Sequence, residues 1–301
     1  MKKFLLLLGV LLLALIKFQH ASAQTWSAVG AGMNNKVDFF AVYNGVLYAG
    51  GDFTMSDTAQ LNYMARWNGS SWESVGPGVN SFVRTLAVYN GELYAGGDFT
   101  EAGGTSASYI ARWNDSTWRP VGPGTNGGVR TLAVHDGELY AGGFFTQAGG
   151  GTANYIAKWN GSSWAGVGGG CDNWVRCLGT FSGDLYAGGY FTNAGGTPAQ
   201  RIAGWNGSAW SALGNGLDNV VWDITEYNGE LYANGDFTVS GGDTLSHVAR
   251  WNGSVWSSVG TGTDDNVWAA TVFDSGLVVA GFFTAAGGVA AQRIARWDGS
   301  T

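Results

Sequence analysis

The stretch VRTLAVYNGELYAGGDFT, residues 83–100, decides the fold. Val83 to Tyr89 is rich in β-branched and aromatic side chains and reads as a strand. Asn90-Gly91 then supplies the two-residue type I′ turn of a tight hairpin, and Glu92 to Thr100 reads as the returning strand. The stretch comes back at residues 129–146 as VRTLAVHDGELYAGGFFT, shifted by 46. Its closing Phe-Thr recurs at Phe53, Phe99, Phe145, Phe191, Phe237 and Phe283, with the same spacing throughout.

Two tryptophan series keep that period: Trp67, Trp113, Trp159, Trp205, Trp251 and Trp297, and Trp26, Trp72, Trp118, Trp164, Trp210 and Trp256. In the unit that begins at Val83, a Gly-rich connection (101–108) leads to a third strand at Tyr109 to Trp113, and a short turn to a fourth at Trp118 to Val121. Four strands per 46 residues make the blade of a propeller, so the expected fold is all-β: a six-bladed β-propeller with four antiparallel strands, here called a to d, in each blade. Tryptophans invariant across the copies are expected to fill the space between blades.

The first d strand, Trp26-Ser27-Ala28-Val29, precedes the first strand a, and the next repeat tryptophan would fall one residue past Thr301. The N-terminal strand is therefore expected to close the last blade. The alternative is a piece cut from a longer array. Ahead of it, Lys2 and Lys3, the apolar run from Phe4 to Ile16 and Ala21-Ser22-Ala23 have the layout of a secretory signal, too short for a bilayer span. The expected organisation is a signal peptide at 1–23 and a single propeller at 24–301, secreted or at the cell surface.

Removing that signal leaves 12 basic against 22 acidic residues. Such a balance argues against nucleic acid or an anionic membrane as partner, because a basic patch would supply most of that affinity. No later apolar run approaches a membrane span. Nothing calls for a second subunit, and a monomer is expected.

The order Leu93-Tyr94-Ala95-Gly96-Gly97, then Tyr109, then Trp118, resembles the kelch motif of galactose-oxidase-like propellers across residues 26 to 297. The period departs from the kelch value of about 50, and the tryptophan at 113 and its equivalents is extra. The Ala-Arg-Trp-Asn-Gly-Ser-x-Trp stretch is similar to repeats of large secreted bacterial surface proteins and of fungal cortical-marker propellers. The resemblance implies a propeller and an extracellular location, and no particular activity.

Antiparallel alternation puts the b–c and d–a connections on one face, and the longer connections make it the expected binding face. Positions that differ between copies gather there. At the start of strand a stand Asp38, Arg84, Arg130, Arg176, Trp222 and Trp268, expected to ring the channel mouth. At the start of strand c stand Tyr63, Tyr109, Tyr155, Arg201, His247 and Arg293; after the Gly-Gly stand Asp52, Asp98, Phe144, Tyr190, Asp236 and Phe282. The candidate ligand-binding residues are Asp38, Arg84, Arg130, Arg176, Trp222, Trp268, Arg201, His247 and Arg293, since arginine and aromatic side chains are common interface anchors. The competing reading makes the arginines cement between blades, paired with neighbouring aspartates.

Asn34, Asn80, Asn126, Asp172, Asp218 and Asp264 form another series in the d–a loops. Oxygen ligands of this kind can hold calcium, but the spacing matches no dense Asp-x-Asp loop, and turn capping accounts for it more simply. The Asn-x-Ser triplets at Asn68, Asn114, Asn160, Asn206 and Asn252 read as turn chemistry rather than glycosylation sites. With the signal and its His20 removed, His135 and His247 are too few for a three-histidine site, and no Gly-x-Ser-x-Gly elbow occurs. Cys171 and Cys177 could form a local disulfide or stay as two free thiols. No metal, cofactor or catalytic residue is expected. The expected function is non-enzymatic: binding or display, recognising a glycan or an extracellular protein. The alternatives are a spacer in a larger surface protein and a carboxylate-dependent glycan-active enzyme.

Overall fold

The computed structural model describes residues 28–300. Among the described residues, five successive four-stranded antiparallel sheets, ordered a-b-c-d from the axis outward, and a sixth of three strands ordered a-b-c form the blades. In the second blade the strands are Val83–Tyr89, Glu92–Gly97, Ile110–Trp113 and Trp118–Pro120. The fold is thus the six-bladed all-β propeller that the period implies.

Local chemistry explains each turn. Asn90 and Gly91 both take positive φ, 48° and 74°, the geometry of a type I′ hairpin. The c–d turns are held by Asx geometry: Asn68 Oδ1 accepts the Ser70 and Ser71 amides at 2.9 and 2.8 Å, and Asn114, Asn160, Asn206 and Asn252 do the same in their blades. The b–c connection is not a plain loop. It carries a small hairpin, Glu101–Ala102 against Thr105–Ser106 in the second blade, turned by Gly103-Gly104.

The core lies between blades. One apolar cluster joins Tyr89, Tyr94 and Ile110 of the second blade to Val129, Leu132, Leu139 and Phe145 of the third, and other junctions repeat the pattern. Tryptophan serves the junction between the first and second blades twice. Trp113 and Trp118 stack with centroids 5.4 Å apart, and the Trp118 Nε1–H donates to the Val75 carbonyl of the preceding blade at 2.8 Å. The equivalent bonds run from Trp72, Trp164, Trp210 and Trp256 to Val29, Val121, Val167 and Leu213. Pointing the other way, the Tyr89 hydroxyl donates to Gly137 O of the following blade at 3.1 Å.

Strands a pack against one another in chain order from the first blade to the sixth, and no packing of that extent joins the sixth to the first among the described residues. Ile294 is accordingly 53% exposed where Ile110, Ile156 and Ile202 are fully buried. The strand expected to complete the sixth blade starts at Trp26, outside the described residues. Its described end, Val29, receives the Trp72 bond as Val75 receives that of Trp118. The signal segment also lies outside the described residues. No described helix is long and apolar enough to cross a membrane.

Cys171 and Cys177 are both buried and free. The chain sends them to different places. Cys171 bridges Ala194 at the b–c hairpin, while Cys177, third in its strand a, points its Sγ at the Val221 carbonyl of the next blade, 3.7 Å away. Burial pushes both thiols well above the ordinary range.

Candidate functional site

The mouth residues owe their position to a backbone irregularity. In the second blade Val83 pairs with Gly97 and Thr85 with Gly96, which leaves Arg84 as an extra, unpaired residue. The same bulge places Asp38, Arg130, Arg176, Trp222 and Trp268. A bulge re-aims the side chain it carries, and here it turns six of them toward the loop face. The tight approach demands glycine opposite: a Cβ on Gly97 would lie 2.0 Å from the Phe82 carbonyl oxygen.

A second backbone device positions the residues before strand c. Tyr63, Tyr109, Tyr155, Arg201, His247 and Arg293 all hold φ between 66° and 70°. That region is costly for residues with a Cβ, and strain of this kind collects at functional surfaces. It is sustained by paired backbone bonds, such as Tyr109 N to Phe99 O at 2.9 Å and Gly97 N to Tyr109 O at 3.0 Å.

The mouth divides into two chemically different halves. Across the first three blades it is an ion-pair network. Arg84 Nη1 lies 2.6 Å from Asp38 and 2.7 Å from Asp52, its Nε is 3.1 Å from Asp98, and Arg130 Nη1 is 2.8 Å from the other Asp98 oxygen. Lys36 adds a further pair with Asp38 at 2.6 Å. Burial works against the Arg84 charge, but the three carboxylates outweigh it and hold its pKa above the usual arginine value. For Asp38, Arg84 and Arg130, the reading of arginine as cement between blades is therefore the one the geometry supports.

From the third blade to the fifth the surface is aromatic. Phe144 meets Trp174 at 5.4 Å, Trp174 meets Tyr190 edge-on at 5.7 Å, and Tyr190 meets Trp222 edge-on at 5.8 Å. Trp222 Nε1 donates to Asp236 at 2.6 Å, which fixes its ring. The Arg176 guanidinium sits over that ring at 5.1 Å, as Arg130 sits over Phe144 at 4.7 Å. Arg201 donates to the Tyr190 backbone carbonyl. Trp174 is 46% exposed and is the most open ring of this arc.

The other candidates stand apart. Trp268 packs edge-on against Phe282 at 4.2 Å, with the Arg293 guanidinium over that same ring at 4.9 Å, as a separate cluster on the sixth blade. His247 joins neither group, and its Nδ1 is buried without a partner. Sequence reasoning missed Trp174 and Phe82, which stacks under Arg84 at 4.6 Å. The signal was present, because the position reads Lys36, Phe82, Gly128, Trp174, Val220 and Asn266 and varies as much as its bulged neighbour.

The loop series of asparagines and aspartates does not cap its own turn, as the sequence suggested. Asp172 reaches across to the b–c hairpin, where Oδ1 accepts the Thr192 and Asn193 amides at 2.8 and 3.0 Å and Oδ2 accepts the Thr192 hydroxyl at 2.7 Å. Asn80 makes the same two amide bonds to Thr100 and Glu101. These residues staple the two loops that build the face.

Residues 135–161 match the family model described as a domain of unknown function (DUF5122) beta-propeller. No curated protein matches the sequence. Among solved structures the chain is similar to an ancestral GH74 enzyme, at 17% identity and a TM-score of 0.57, over 86% of this chain and 36% of that one; it spans about a third of that enzyme's length. It also aligns with the WD40 beta propeller domain of Doa1 at 14% identity, over 67% of this chain and 63% of that one, with a TM-score of 0.46. The computationally designed Ika8 protein aligns at 12% identity, over 89% and 98%, with a TM-score of 0.44. The family match and the GH74 likeness support a β-propeller and assign no activity.

Proposed function

We propose that this propeller is a non-enzymatic binding module that holds a glycan on the aromatic half of its loop face, outside the cell and as a monomer. The observation that carries the reading is the continuous run of rings from Phe144 through Trp174 and Tyr190 to Trp222, which crosses three blades without a break. Flat, partly exposed rings present the apolar contact area that a sugar face covers, with polar groups at their edges for orientation. The kelch-like order of landmarks and the charged-then-apolar N-terminus support the extracellular part. Against an enzyme stands the occupation of the mouth carboxylates: Asp38, Asp52 and Asp98 are held by Arg84 and Arg130, and Asp236 by Trp222.

The ion-paired half supports a spacer role for that half alone, since its arginines tie blades together. The test is a glycan and matrix-protein array probed with the wild-type protein and with Trp174→Ala. Among the described residues Trp174 makes no hydrogen bond through its indole, so the variant is expected to stay folded, as circular dichroism checks, and to lose the array signal. An unchanged array profile for Trp174→Ala overturns the glycan reading, and binding only to matrix proteins replaces it with protein recognition.

A further inference from the structure

The three mouth arginines are chemically alike and differently served. Each is flanked by two positions that follow a Gly-Gly, one in its own blade and one in the blade before. For Arg84 these are Asp98 and Asp52, and both bind it. For Arg130 they are Phe144 and Asp98, and only the aspartate pairs with it. For Arg176 they are Tyr190 and Phe144, and neither can neutralise it. Among the described residues Arg176 makes no ion pair and no hydrogen bond, and its guanidinium rests on the Trp222 ring.

We propose that Arg176 is the anchor for a carboxylate-bearing sugar, a uronic-acid residue of a glycan whose ring lies along Trp174, Tyr190 and Trp222. The proposal rests on the aromatic-arc reading above and names the ligand class. A guanidinium offers a fork of N–H donors that matches a carboxylate with two parallel bonds, and such charge-assisted bonds are strong in partly dry surroundings. Burial disfavours the Arg176 charge and Arg130 adds repulsion, which together lower its pKa. An incoming carboxylate relieves both. Asp98 already performs this service one blade earlier, bridging Arg84 and Arg130. In the next blade the bridging position is Phe144, and the bridge is left to the ligand. Arg201, with its Nε buried and unpartnered and its Nη1 on the Tyr190 carbonyl, brings a second positive group to the same residue. A sugar is favoured over an acidic peptide because the anion site is continuous with flat rings, from Trp174 through Tyr190 to the Trp222 ring beneath Arg176.

The test uses hexamers of galacturonic acid and of glucuronic acid, each as the free acid and as the methyl ester, with hexaglutamate as the peptide arm, titrated by calorimetry. Wild-type protein is expected to bind at least one acid about tenfold or more tightly than its ester, the value of a charge-assisted bond. Arg176→Gln is expected to erase that preference and leave ester binding in place. Phe144→Asp guards against misfolding, since it supplies internally the bridge seen at Asp98, and is expected to keep stability while losing the acid preference. Equal binding of acid and ester by wild type, or a preference that survives Arg176→Gln, overturns the anchor and leaves the aromatic reading standing. Hexaglutamate binding as tightly as the acid sugars overturns the sugar class. No binding of any hexamer overturns the anchor, while the glycan reading stands or falls on the array with Trp174→Ala.

Discussion

Replacing Trp118 by Phe isolates what one indole contributes to a junction between blades. The side chain is 6% exposed, and its Nε1–H reaches the Val75 carbonyl of the preceding blade at 2.8 Å. Phenylalanine keeps a ring beside Trp113 and removes the donor. The Val75 oxygen is not orphaned, because it also accepts the Gly78 amide at 3.1 Å. The cost is then one net hydrogen bond, about 1 kcal/mol, plus roughly 40 Å² of lost apolar contact, about 1 kcal/mol. The expected loss is about 2 kcal/mol in urea unfolding followed by circular dichroism, with the slope unchanged. Trp174→Phe, at an exposed ring without a hydrogen bond, serves as the control and should stay within about 0.5 kcal/mol of wild type. A Trp118→Phe protein as stable as the control would refute the claim that these indole bonds secure the junctions.

Two further predictions concern buried and stapling carboxylates. Hydrogen bonds hold Asp172 and Asp264 down to about 2, against opposing burial, and lower Asp218 as well. Their folded pKa values lie below the unfolded ones, so the stability they add is present above about pH 4 and is lost as pH falls toward 2. The triple variant Asp172→Asn, Asp218→Asn and Asp264→Asn copies the first three blades and should flatten that acid loss while leaving neutral stability nearly unchanged; an unaltered acid transition would contradict it. Asp223 is the opposite case. It is half-buried with no ion pair among the described residues, desolvation raises its pKa, and its Oδ2 accepts the Ala270 amide at 2.7 Å. Thr85 and Thr131 accept the equivalent amides at 3.1 and 3.2 Å without a charge. Asp223→Thr should therefore add about 1–2 kcal/mol at pH 8. The gain should shrink on acidification, because the wild-type carboxyl protonates more readily folded than unfolded. A less stable variant at pH 8 would falsify the assignment.

The period carried most of the fold into view. Strand a at Val83–Tyr89 and its hairpin were readable because β-branched residues, Asn-Gly and a fixed spacing agree. The hairpin inside the b–c connection was not, since two-residue strands such as Glu101–Ala102 and Thr105–Ser106 leave too little pattern to separate them from loop. The site was legible as a set of variable positions and not as an arrangement. Nothing in the string tells Arg84, held by three aspartates, from Arg176, held by none; the difference lies in which residues a bulge brings side by side. Trp174 escaped because it precedes the bulge by two residues and falls in a loop, and the cysteines because six residues of separation say nothing about which junction each side chain enters.

The hydrogen bonds between blades have a consequence for how the chain is made. The indole bonds span 43 residues and the tyrosine bonds 48, and none of the described side-chain bonds spans more than 71. Each new blade leaving the ribosome can therefore dock on the one already outside it, with Trp118 finding a Val75 that was synthesised first. Such spacing lets assembly run from the N-terminal end in equal steps, each closing a loop of similar modest entropy, and no step among the described contacts has to wait for the two ends of the chain to meet.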